Sequence, residues 1–463
     1  MVNLAFPLGD YDEGVYIATV RSLTHHFPLY SKTYDSQGPL FFYLAEIVYR
    51  LSPTIQALRL IPVACSLIVI AVAYQLSRKY FGMPAAIFSG AYLAIDSYFL
   101  TTSRSFQLDI PWLAFTTVSF YFLLCSDETR RRKDVVLSAV FFALSLQIKL
   151  NPTFGIVIIC HLLIRLVSEG PTAIKRFLYF VFLPLLFFLI AIPIHEWGAF
   201  YASNFRLHTS HLSTLSLSPW LQWPRRLLLS HERFLLLLDT AVFASGLAWV
   251  CRHKMRLATL LSKNIFLTLS LVWLFLTTVV FDFYNPLFPH HFVFFILPAV
   301  MVASSIVPRV YRAVSNRPLL KTAGVMLFGV VIAYSAWKET KITSVLYPAA
   351  SPYYRTQLAV AQYLERHTAP NDYVITDDPL VLYLANRETP PELVDTSFVR
   401  LQSGGLTSAE LIGLTQRYRP SAIALVSGHL FLRPEYIGYL KTNYGVANGL
   451  SGPTIYRKTD IKP

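Results

Sequence analysis

Ten apolar segments follow one another along this chain, and they limit its possible folds more than any other feature. Most approach the ~20 residues that an α-helix needs to cross a bilayer. Only 14% of the residues are charged, against about 25% in soluble domains. The sequence therefore predicts a polytopic α-helical membrane protein. The segments cover residues 57–77, 84–100, 110–126, 135–149, 152–167, 177–195, 233–251, 264–283, 291–307 and 319–337.

Basic residues in the links between these segments predict the orientation of the chain. Five alternate links contain seventeen Lys and Arg, whereas the other four contain five. Because cytoplasmic loops carry the excess of positive charge, we expect residues 1–56 and everything after Trp337 outside the cytoplasm, at the plasma membrane. Only nine residues precede Asp10, so this orientation leaves an external N-terminus with nothing to translocate it. We expect a further span upstream of this sequence.

The net charge of +14 does not indicate a nucleic-acid partner. Residues 1–337 contain 27 Lys and Arg against 15 Asp and Glu, whereas residues 338–463 contain 13 against 11. The excess belongs to the membrane part, where basic loops set orientation. The four cysteines lie scattered through apolar segments without Cys-x-x-Cys spacing. They are typical of small core residues and indicate neither disulfides nor a metal site.

The pattern changes after residue 338, where helical and strand-like stretches alternate. This alternation predicts a small extracytoplasmic α/β domain over 338–463. It contains no glycine-rich phosphate loop and no Ser or Cys nucleophile elbow, so a lid, an acceptor platform and a stabilising cap all remain open. We expect helices at 353–367, 379–386, 407–418 and 434–444, and strands at 372–376, 421–426 and 454–457. The other two predicted units are a first extracytoplasmic loop with juxtamembrane helices at 1–56 and the membrane domain at 57–337.

Acidic residues are concentrated in the loop that precedes the first predicted span. Residues 10–39 contain Asp10, Asp12, Glu13 and Asp35. Ionised groups at the edge of a membrane bundle are costly unless they have a use. A catalytic role and the plainer roles of helix cap or solvated loop acid are both open on composition alone.

Several other ionisable groups fall at the outer ends of predicted spans. A charge at a span end normally faces a partner or a wet cavity, and we expect these groups to share one cavity with Asp12 and Glu13. Interfacial anchors and isolated salt bridges are the alternatives. The groups are Arg59, Asp96, Arg104, Asp109, Lys149, Asp282 and the pair His290-His291.

Such a cavity fits glycosyl transfer from a lipid phosphate. A hydroxyl acceptor needs one carboxylate to orient it or accept its proton. The departing phosphate is already a good leaving group and needs cationic or hydrogen-bonding partners, rather than a second acid of the hydrolase kind. A proton-coupled transporter would also use buried acids, although those more often lie near the membrane midplane.

The motifs resemble those of the GT-C glycosyltransferases, in particular glycosyltransferase family 39 and its bacterial and archaeal relatives. These include protein O-mannosyltransferases and lipid A aminoarabinose transferases. Asp12-Glu13 with Tyr16, Pro28-Leu29-Tyr30 and Gly38-Pro39-Leu40 are similar to the family's first outer loop. SRSFQLDIP resembles its second outer loop, LQIKLNP its helix-ending lysine motif, and HHFVFFILPAV its late helix. The resemblance spans residues 10–307 in order, and a C-terminal extracytoplasmic domain is usual in the family.

The resemblance implies an inverting transferase that takes a sugar from a polyprenyl-phosphate donor. Asp12 would orient or deprotonate the acceptor, with Glu13 beside it, and these are the predicted catalytic residues. Many relatives carry a lysine where this chain has Gln37, so Arg59, Lys32 or Arg104 would have to contact the lipid phosphate. The predicted donor- and acceptor-binding residues are Tyr16, Arg59, Arg104, Asp109, Lys149 and His291.

The predicted partners are a polyprenyl-phosphate-linked sugar, membrane lipids, and an acceptor that is a lipid, a protein or a glycan. No cofactor is required by the pattern. Two or three acids could hold Mg²⁺ or Mn²⁺, but no ligand spacing demands a metal. A transporter or flippase of lipid-linked sugars is the main alternative, and a non-catalytic subunit whose external domain binds a partner is a further one.

Overall fold

Helices dominate the computed structural model of the chain. The structure describes residue 4, residues 10–206, 264–282 and 288–315, the isolated positions 322, 326, 330, 333, 334 and 337, and residues 352–447 and 452–458. The predicted span at 233–251 lies outside the described residues, as does that at 319–337 apart from the isolated positions. The N-terminal helices are α1 Tyr11–Thr24, α2 Pro39–Leu51, α3 Ile55–Phe81, α4 Met83–Ile95, α5 Ser97–Arg104, α6 Asp109–Thr129, α7 Arg132–Leu146, α8 Thr153–Glu169, α9 Thr172–Ala191 and α10 Trp197–Tyr201.

The described helices lie at the positions of the remaining predicted segments. After α10, the membrane part continues with α11 Ile265–Asp282, α12 Val293–Ser304 and α13 Val307–Ser315. Among the described residues, α3, α6 and most of α9 are long and apolar enough to cross a membrane. A fourth candidate consists of α4 and α5, which meet at a 60° bend. The protein is therefore a polytopic α-helical membrane protein.

The bend between α4 and α5 lies within a segment that the sequence predicted as one span. Asp96 sits at the break with extended backbone, and its carboxylate accepts a hydrogen bond from the Phe99 main-chain N–H at 2.9 Å. This is the geometry of a helix N-cap, which starts a new helix rather than continuing the old one. The single predicted helix over 84–100 is therefore corrected to two.

Helices α6 and α7 form an antiparallel hairpin, and its open end holds two charged residues of the site described below. Ser119 and Ser138 each donate a hydrogen bond to the other's main-chain carbonyl at 2.8 Å, which fixes the two helices side by side. Because the helices run in opposite directions, the start of α6 lies at the same level as the end of α7. Asp109 opens α6 and Lys149 closely follows α7.

The C-terminal part is an α/β domain, as the sequence predicted. Its sheet has the order β1-β2-β4-β3, in which β1 and β2 are parallel and the other two pairs are antiparallel. The sequence extended the last helix to Tyr444, but the structure ends it at Asn443 and starts β3 with Tyr444, which pairs with Lys458. The elements are α14 Pro352–His367, β1 Val374–Thr376, α15 Pro379–Ala385, α16 Phe398–Gln402, α17 Ser408–Tyr418, β2 Ala422–Leu425, α18 Pro434–Asn443, β3 Tyr444–Val446 and β4 Thr454–Lys458.

Both faces of this sheet are buried. Successive residues of a strand point to opposite faces, and in β2 Ile423 belongs to one apolar cluster and Ala424 to the other. Helices α17 and α18 cover the first face through Leu411 and Leu440, and α14 covers the second through Val360. This two-sided burial explains why β1 and β2 are almost wholly apolar, whereas β4 ends in the exposed Arg457 and Lys458.

The domain lies directly on α1. Gly14 in α1 approaches the main chain of α15 so closely that a Cβ atom there would lie 2.4 Å from the Leu380 nitrogen. Polar contacts flank this point at both ends of α1 and at the start of α3. They are the Thr396 N–H to the Tyr11 hydroxyl at 3.2 Å, the ion pair Arg21–Glu388, and the Ile55 N–H to the Tyr383 hydroxyl at 3.0 Å.

Candidate active site

The start of α1 places two neighbouring acids in different surroundings. Asp10 caps the helix, since its Oδ1 accepts a hydrogen bond from the Asp12 N–H at 2.9 Å. Asp12 and Glu13 then lie in the first turn, where the helix dipole stabilises negative charge. Successive helical positions are about 100° apart, so the two side chains diverge. Glu13 is wholly buried, whereas 37% of the Asp12 side chain is exposed.

Glu13 is held by an ion pair with Arg59 of α3. The Arg59 Nε donates to Oε1 at 2.7 Å and Nη2 donates to Oε2 at 2.5 Å, which is the bidentate geometry that guanidinium favours. The Phe106 main-chain N–H also donates to Oε1, at 2.8 Å. Arg59 is 1% exposed. The pair therefore fixes α1 against α3 and the second loop.

A second ion pair joins the open end of the α6–α7 hairpin. Lys149 Nζ lies 2.7 Å from Asp109 Oδ1, and it also lies 5.2 Å from the centre of the Phe294 ring, within cation–π range. Asp109 is nearly buried, whereas 18% of the Lys149 side chain is exposed. Lys149 is thus a partly accessible cation between α6, α7 and α12.

His290 brings the late helix to the acids of α1. Its Nε2 lies 3.8 Å from Asp12 Oδ2, and its Nδ1 lies 4.0 Å from Asp10 Oδ2. The Asp10 carboxylate also accepts a hydrogen bond from Gln107 Nε2 at 2.5 Å. Groups from α1, the second loop and the turn before α12 therefore meet at one place.

The surroundings of Asp12 favour a carboxyl group that changes its charge near neutral pH. Burial raises the pKa of Asp12 to about 7, and the Asp10 carboxylate contributes in the same direction, while His290 and Lys149 oppose the shift. Burial likewise raises the pKa of Asp10. The Asp12 side chain is exposed on one side and lies near Asp10 and His290 on the other. A pKa near the working pH suits a group that accepts a proton.

The loop between α1 and α2 packs tightly beside Lys149. Buried Asp35 holds the loop to α1, because its carboxylate accepts hydrogen bonds from Thr19 Oγ1 at 3.1 Å and from the Gln37 N–H at 2.9 Å. The Gly38 N–H donates to the Ile148 carbonyl at 3.1 Å. A Cβ atom at Gly38 would lie 2.2 Å from the Gln147 carbonyl oxygen. This close approach explains the glycine of the Gly38-Pro39 motif.

Solved structures are similar to this chain in fold along almost its whole length. ArnT from Cupriavidus metallidurans bound to undecaprenyl phosphate aligns with a TM-score of 0.62 at 14% identity, over 97% of this chain and 94% of that one. The Archaeoglobus fulgidus oligosaccharyltransferase in complex with Zn and sulfate aligns with a TM-score of 0.57 at 12% identity, over 98% of this chain and 70% of that one. The same enzyme tethered to an acceptor peptide gives 0.53 at 13% identity, over 99% and 71%.

This chain has the GT-C fold. The predicted fold class is thereby confirmed. Residues 36–197 also match the family model of dolichyl-phosphate-mannose-protein mannosyltransferases. Comparison with curated protein sequences finds no significant match.

The histidine that faces the acids of this GT-C site is His290, not its predicted neighbour His291. His291 is buried, and its Nδ1 accepts a hydrogen bond from the Phe288 N–H at 3.2 Å. This bond stabilises the turn that presents His290. The sequence showed the His-His pair, but nothing in it indicated which ring would meet Asp12.

Tyr16 and Arg104 occupy different surroundings. Tyr16 packs edge-to-face against Phe41, Phe42 and Phe106, within reach of the electrostatic influence of Asp12. Arg104 ends α5, and its Nε donates to the carbonyl of Leu100 in the same helix at 3.2 Å. Tyr16 therefore packs in the protein interior next to Asp12. The predicted donor-binding role of Arg104 stays a prediction.

Within the described ranges, no group of three or more His, Cys, Asp and Glu side chains is placed to hold a metal ion. Asp10 and Asp12 each face His290 rather than a common point. The predicted option of Mg²⁺ or Mn²⁺ thus gains no support from the arrangement of these side chains.

Proposed function

We propose that this protein transfers a sugar from a polyprenyl-phosphate donor to a hydroxyl acceptor at the extracytoplasmic face of the plasma membrane, with inversion at the anomeric carbon. The observation that carries the proposal is the position of Asp12. It is the most exposed carboxyl of the group, at 37% against 29% for Asp10 and 5% for Asp109; its pKa is raised to about 7, and Lys149 and His290 act on it electrostatically. One base with nearby cations is the set that this reaction needs.

The reaction would proceed in one displacement. The acceptor oxygen attacks the anomeric carbon while its proton passes to the Asp12 carboxylate. The bond from that carbon to the donor phosphate breaks, and the lipid phosphate leaves with the electron pair. Attack from the face opposite the leaving group inverts the configuration. No second acid is required, because the phosphate leaves as a stable anion.

The leaving phosphate needs positive groups, and Lys149 and His290 are suitably placed. Both act on Asp12 electrostatically, so both lie close to the carboxylate that would accept the acceptor's proton. Asp109 holds Lys149 at 2.7 Å and so orients its ammonium group. We assign phosphate binding to Lys149 and His290, and a positioning role to Asp109.

The predicted roles of Glu13 and Arg59 change in this proposal. Both side chains are buried and committed to each other. We assign them the task of holding α1 in place so that Asp12 faces the reacting groups. Arg59 is therefore no substitute for the lysine that Gln37 replaces, and Lys32 is discussed separately below.

The compared structures support the donor and acceptor classes. One GT-C structure was solved with bound undecaprenyl phosphate, and another with a tethered acceptor peptide. The mannosyltransferase family model names a dolichyl-phosphate sugar donor. By analogy we propose a polyprenyl-phosphate sugar donor for this chain, with a hexose or pentose as the sugar. The acceptor hydroxyl would belong to a lipid, a protein or a glycan.

The variant Asp12→Asn tests the proposal. We expect normal expression and membrane insertion but a loss of transfer of at least about 10²-fold, since general-base catalysis typically contributes that much. Transfer is measured with a radiolabelled polyprenyl-phosphate sugar and purified protein. The exposed Glu365 offers the control Glu365→Gln, which removes one carboxylate far from the site and should leave transfer unchanged. Normal transfer by Asp12→Asn would remove Asp12 from its role.

A flippase of lipid-linked sugars remains the alternative that the sequence raised. It predicts movement of the labelled donor across the bilayer of reconstituted vesicles without cleavage of the sugar–phosphate bond. The proposed transferase releases free polyprenyl phosphate instead. Mass spectrometry of the lipid fraction after incubation distinguishes the two.

A further inference from the structure

A second cleft lies away from Asp12, between the loop that follows α1 and the C-terminal domain. Its volume is about 470 Å³, which lies within the ~300–1,000 Å³ typical of small-molecule sites. The loop supplies one wall and the segments around α16 and α17 supply the other. The lining residues that matter below are Lys32, Tyr34, Arg400, Leu406, Gly413 and Leu414.

Arg400 places a buried cation in the wall of this cleft. Its Nη1 donates to the Glu392 and Asp395 carbonyls at 2.9 and 2.6 Å, and its Nε donates to the Gly405 carbonyl at 3.3 Å. The guanidinium lies 3.4 Å from the centre of the Tyr34 ring. Burial lowers the pKa of Arg400. In the part of the chain that the structure describes, no carboxylate lies within ion-pair distance of Arg400.

The side chains that line the cleft carry an excess of positive charge: the basic residues Lys32, Arg400 and Arg417 against the acids Glu392 and Glu410. Glu410 accepts two hydrogen bonds from Thr407, at 2.7 and 2.8 Å, in a capping box. Glu392 lies 3.7 Å from Arg417. Lys32 lines the loop side, is partly exposed, and has no ion pair with any described residue. Glu410 is thus held in the cap and one oxygen of Glu392 faces Arg417, while Asp395 and Glu410 act on Arg400 only at longer range. The lining therefore keeps an excess of positive charge.

We propose that this cleft binds an anionic saccharide, a sugar unit that bears a carboxylate or a phosphate, as part of the acceptor. The proposal rests on the proposed transferase function. The Nη2 group of Arg400 makes no hydrogen bond with a described residue, so it can donate to a carboxylate or phosphate oxygen. Lys32 would supply a second contact from the opposite wall.

The size and the walls of the cleft favour a sugar over a simple ion. A phosphate ion alone would leave most of the 470 Å³ empty. Leu406, Gly413 and Leu414 give the domain side an apolar patch, against which the C–H face of a pyranose ring can pack. A charged sugar has both the anionic group and the apolar face that this cleft offers.

Two hydrogen bonds connect the cleft to the residue before the proposed base. The Tyr34 N–H donates to the Pro391 carbonyl at 3.2 Å, so the loop wall joins the segment that leads to Arg400. In the same segment, the Thr396 N–H donates to the Tyr11 hydroxyl at 3.2 Å. Tyr11 immediately precedes Asp12. An acceptor held by its charged sugar would therefore lie against the structure that carries the base.

Saturation-transfer NMR on the full chain in nanodiscs tests the proposal, with glucuronate and glucose 6-phosphate as probes and glucose as the neutral comparison. We expect saturation of both anionic sugars and little of glucose. Arg400→Gln should weaken both anionic probes roughly tenfold or more, as expected for the loss of a charge-assisted hydrogen bond. Equal signals from glucose, or competition by inorganic phosphate as effective as that by glucose 6-phosphate, would overturn the assignment.

Two further variants keep the test decisive. Lys32→Ala shortens a partly exposed side chain of the loop, so it should keep the fold and still weaken both probes. Arg309→Ala on exposed α13 is the matched loss of charge and should have no effect. Unchanged binding in both Lys32→Ala and Arg400→Gln rejects the cleft.

Asp12→Asn should bind the probes normally. Probe binding by a wild-type protein that shows no sugar transfer would reject the proposed function and leave the cleft, whereas transfer without probe binding would reject the cleft alone.

Discussion

Two carboxylates that are adjacent in sequence have opposite surroundings at the start of α1. Glu13 lies against a guanidinium in the protein interior, while Asp12 remains partly exposed beside Asp10 and His290. The difference follows from the rotation of about 100° per helical residue. At the scale of single residues, the site therefore divides into one group that can exchange a proton and one pair that holds it in place.

The pH dependence of transfer should follow the ionisation of Asp12. A base must be ionised to act, so kcat/KM should fall as the pH drops below about 7 and level off above it. Asp10→Asn keeps a good helix cap but removes a charge that raises the Asp12 pKa, so the midpoint should move to lower pH. His290→Gln removes a positive charge that lowers this pKa and should move the midpoint to higher pH. Initial transfer rates measured between about pH 5 and 9 give the midpoints, and the same midpoint in all three proteins would contradict the assignment.

Breaking the buried ion pair between Glu13 and Arg59 should lower the free energy of unfolding and should not remove a group that takes part in the reaction. Glu13→Gln leaves the Arg59 charge buried without a counter-charge, and we expect a loss of about 3–5 kcal/mol in the free energy of unfolding. The thermal unfolding temperature of the purified protein in detergent measures this loss. The double variant Glu13→Leu with Arg59→Met replaces the pair by apolar groups and should recover most of the stability. An unfolding temperature of Glu13→Gln equal to that of the wild type would show that the pair does not hold α1.

At the scale of elements, the loop between α1 and α2 connects the helix of the proposed base to the region of Lys149. Asp35 ties this loop to α1, and Gly38 seats it on the main chain of residues 147–148, next to Lys149. The φ angle of Gly38 is −70°, which any residue can adopt. The glycine is therefore required by the close contact and not by the backbone conformation.

Gly38→Ala should separate the loop from the end of α7. Its Cβ would lie 2.2 Å from the Gln147 carbonyl oxygen, a main-chain atom that cannot rotate away. We expect transfer to fall by about tenfold or more, since small displacements of positioning groups have effects of that size. Gly438→Ala is the matched control, because a Cβ there meets nothing within 4 Å. Equal activity of the two variants would show that the loop is not held in this way.

Much of the element order could be predicted from the sequence, because apolar length and strand alternation depend on local residues. The predicted strand over 421–426 and helix over 407–418 lie within one residue of the observed β2 and α17. The break at Asp96 could not be predicted from apolar length, since it depends on one side chain bonding to the main chain. The contacts between the residues of the site could not be predicted from the sequence either. Arg59 was expected at the donor, but its ion pair with Glu13 depends on how α1 and α3 cross.

At the scale of the whole molecule, the C-terminal domain lies against the helix that carries Asp12. The contact at Gly14 and Leu380 is flanked by Tyr11–Thr396 and Arg21–Glu388. Of the roles that the sequence left open for this domain, a cap that stabilises α1 and an acceptor platform both agree with these contacts. The domain and the membrane part are thus coupled through α1.

Gly14→Ala should weaken this coupling. The added methyl group would lie 2.4 Å from the Leu380 nitrogen and 2.9 Å from its Cα, so the two helices must move apart. We expect lower transfer, together with faster proteolytic cleavage near the start of α14, because the domain would dissociate more often from α1. Limited proteolysis followed by mass spectrometry measures the second effect. A variant with the cleavage rate and activity of the wild type would show that the contact is dispensable.

The approach of α1 to Leu380 has a consequence for the divergence of such chains. The contact is made by the main chain of both helices, with no side chain interposed. Residues elsewhere on the surface of the C-terminal domain, those of the proposed acceptor cleft included, can therefore change without altering this main-chain contact. A C-terminal domain from a distantly related protein should fit here whenever the helix that corresponds to α15 places its main chain against Gly14 with no side chain between them.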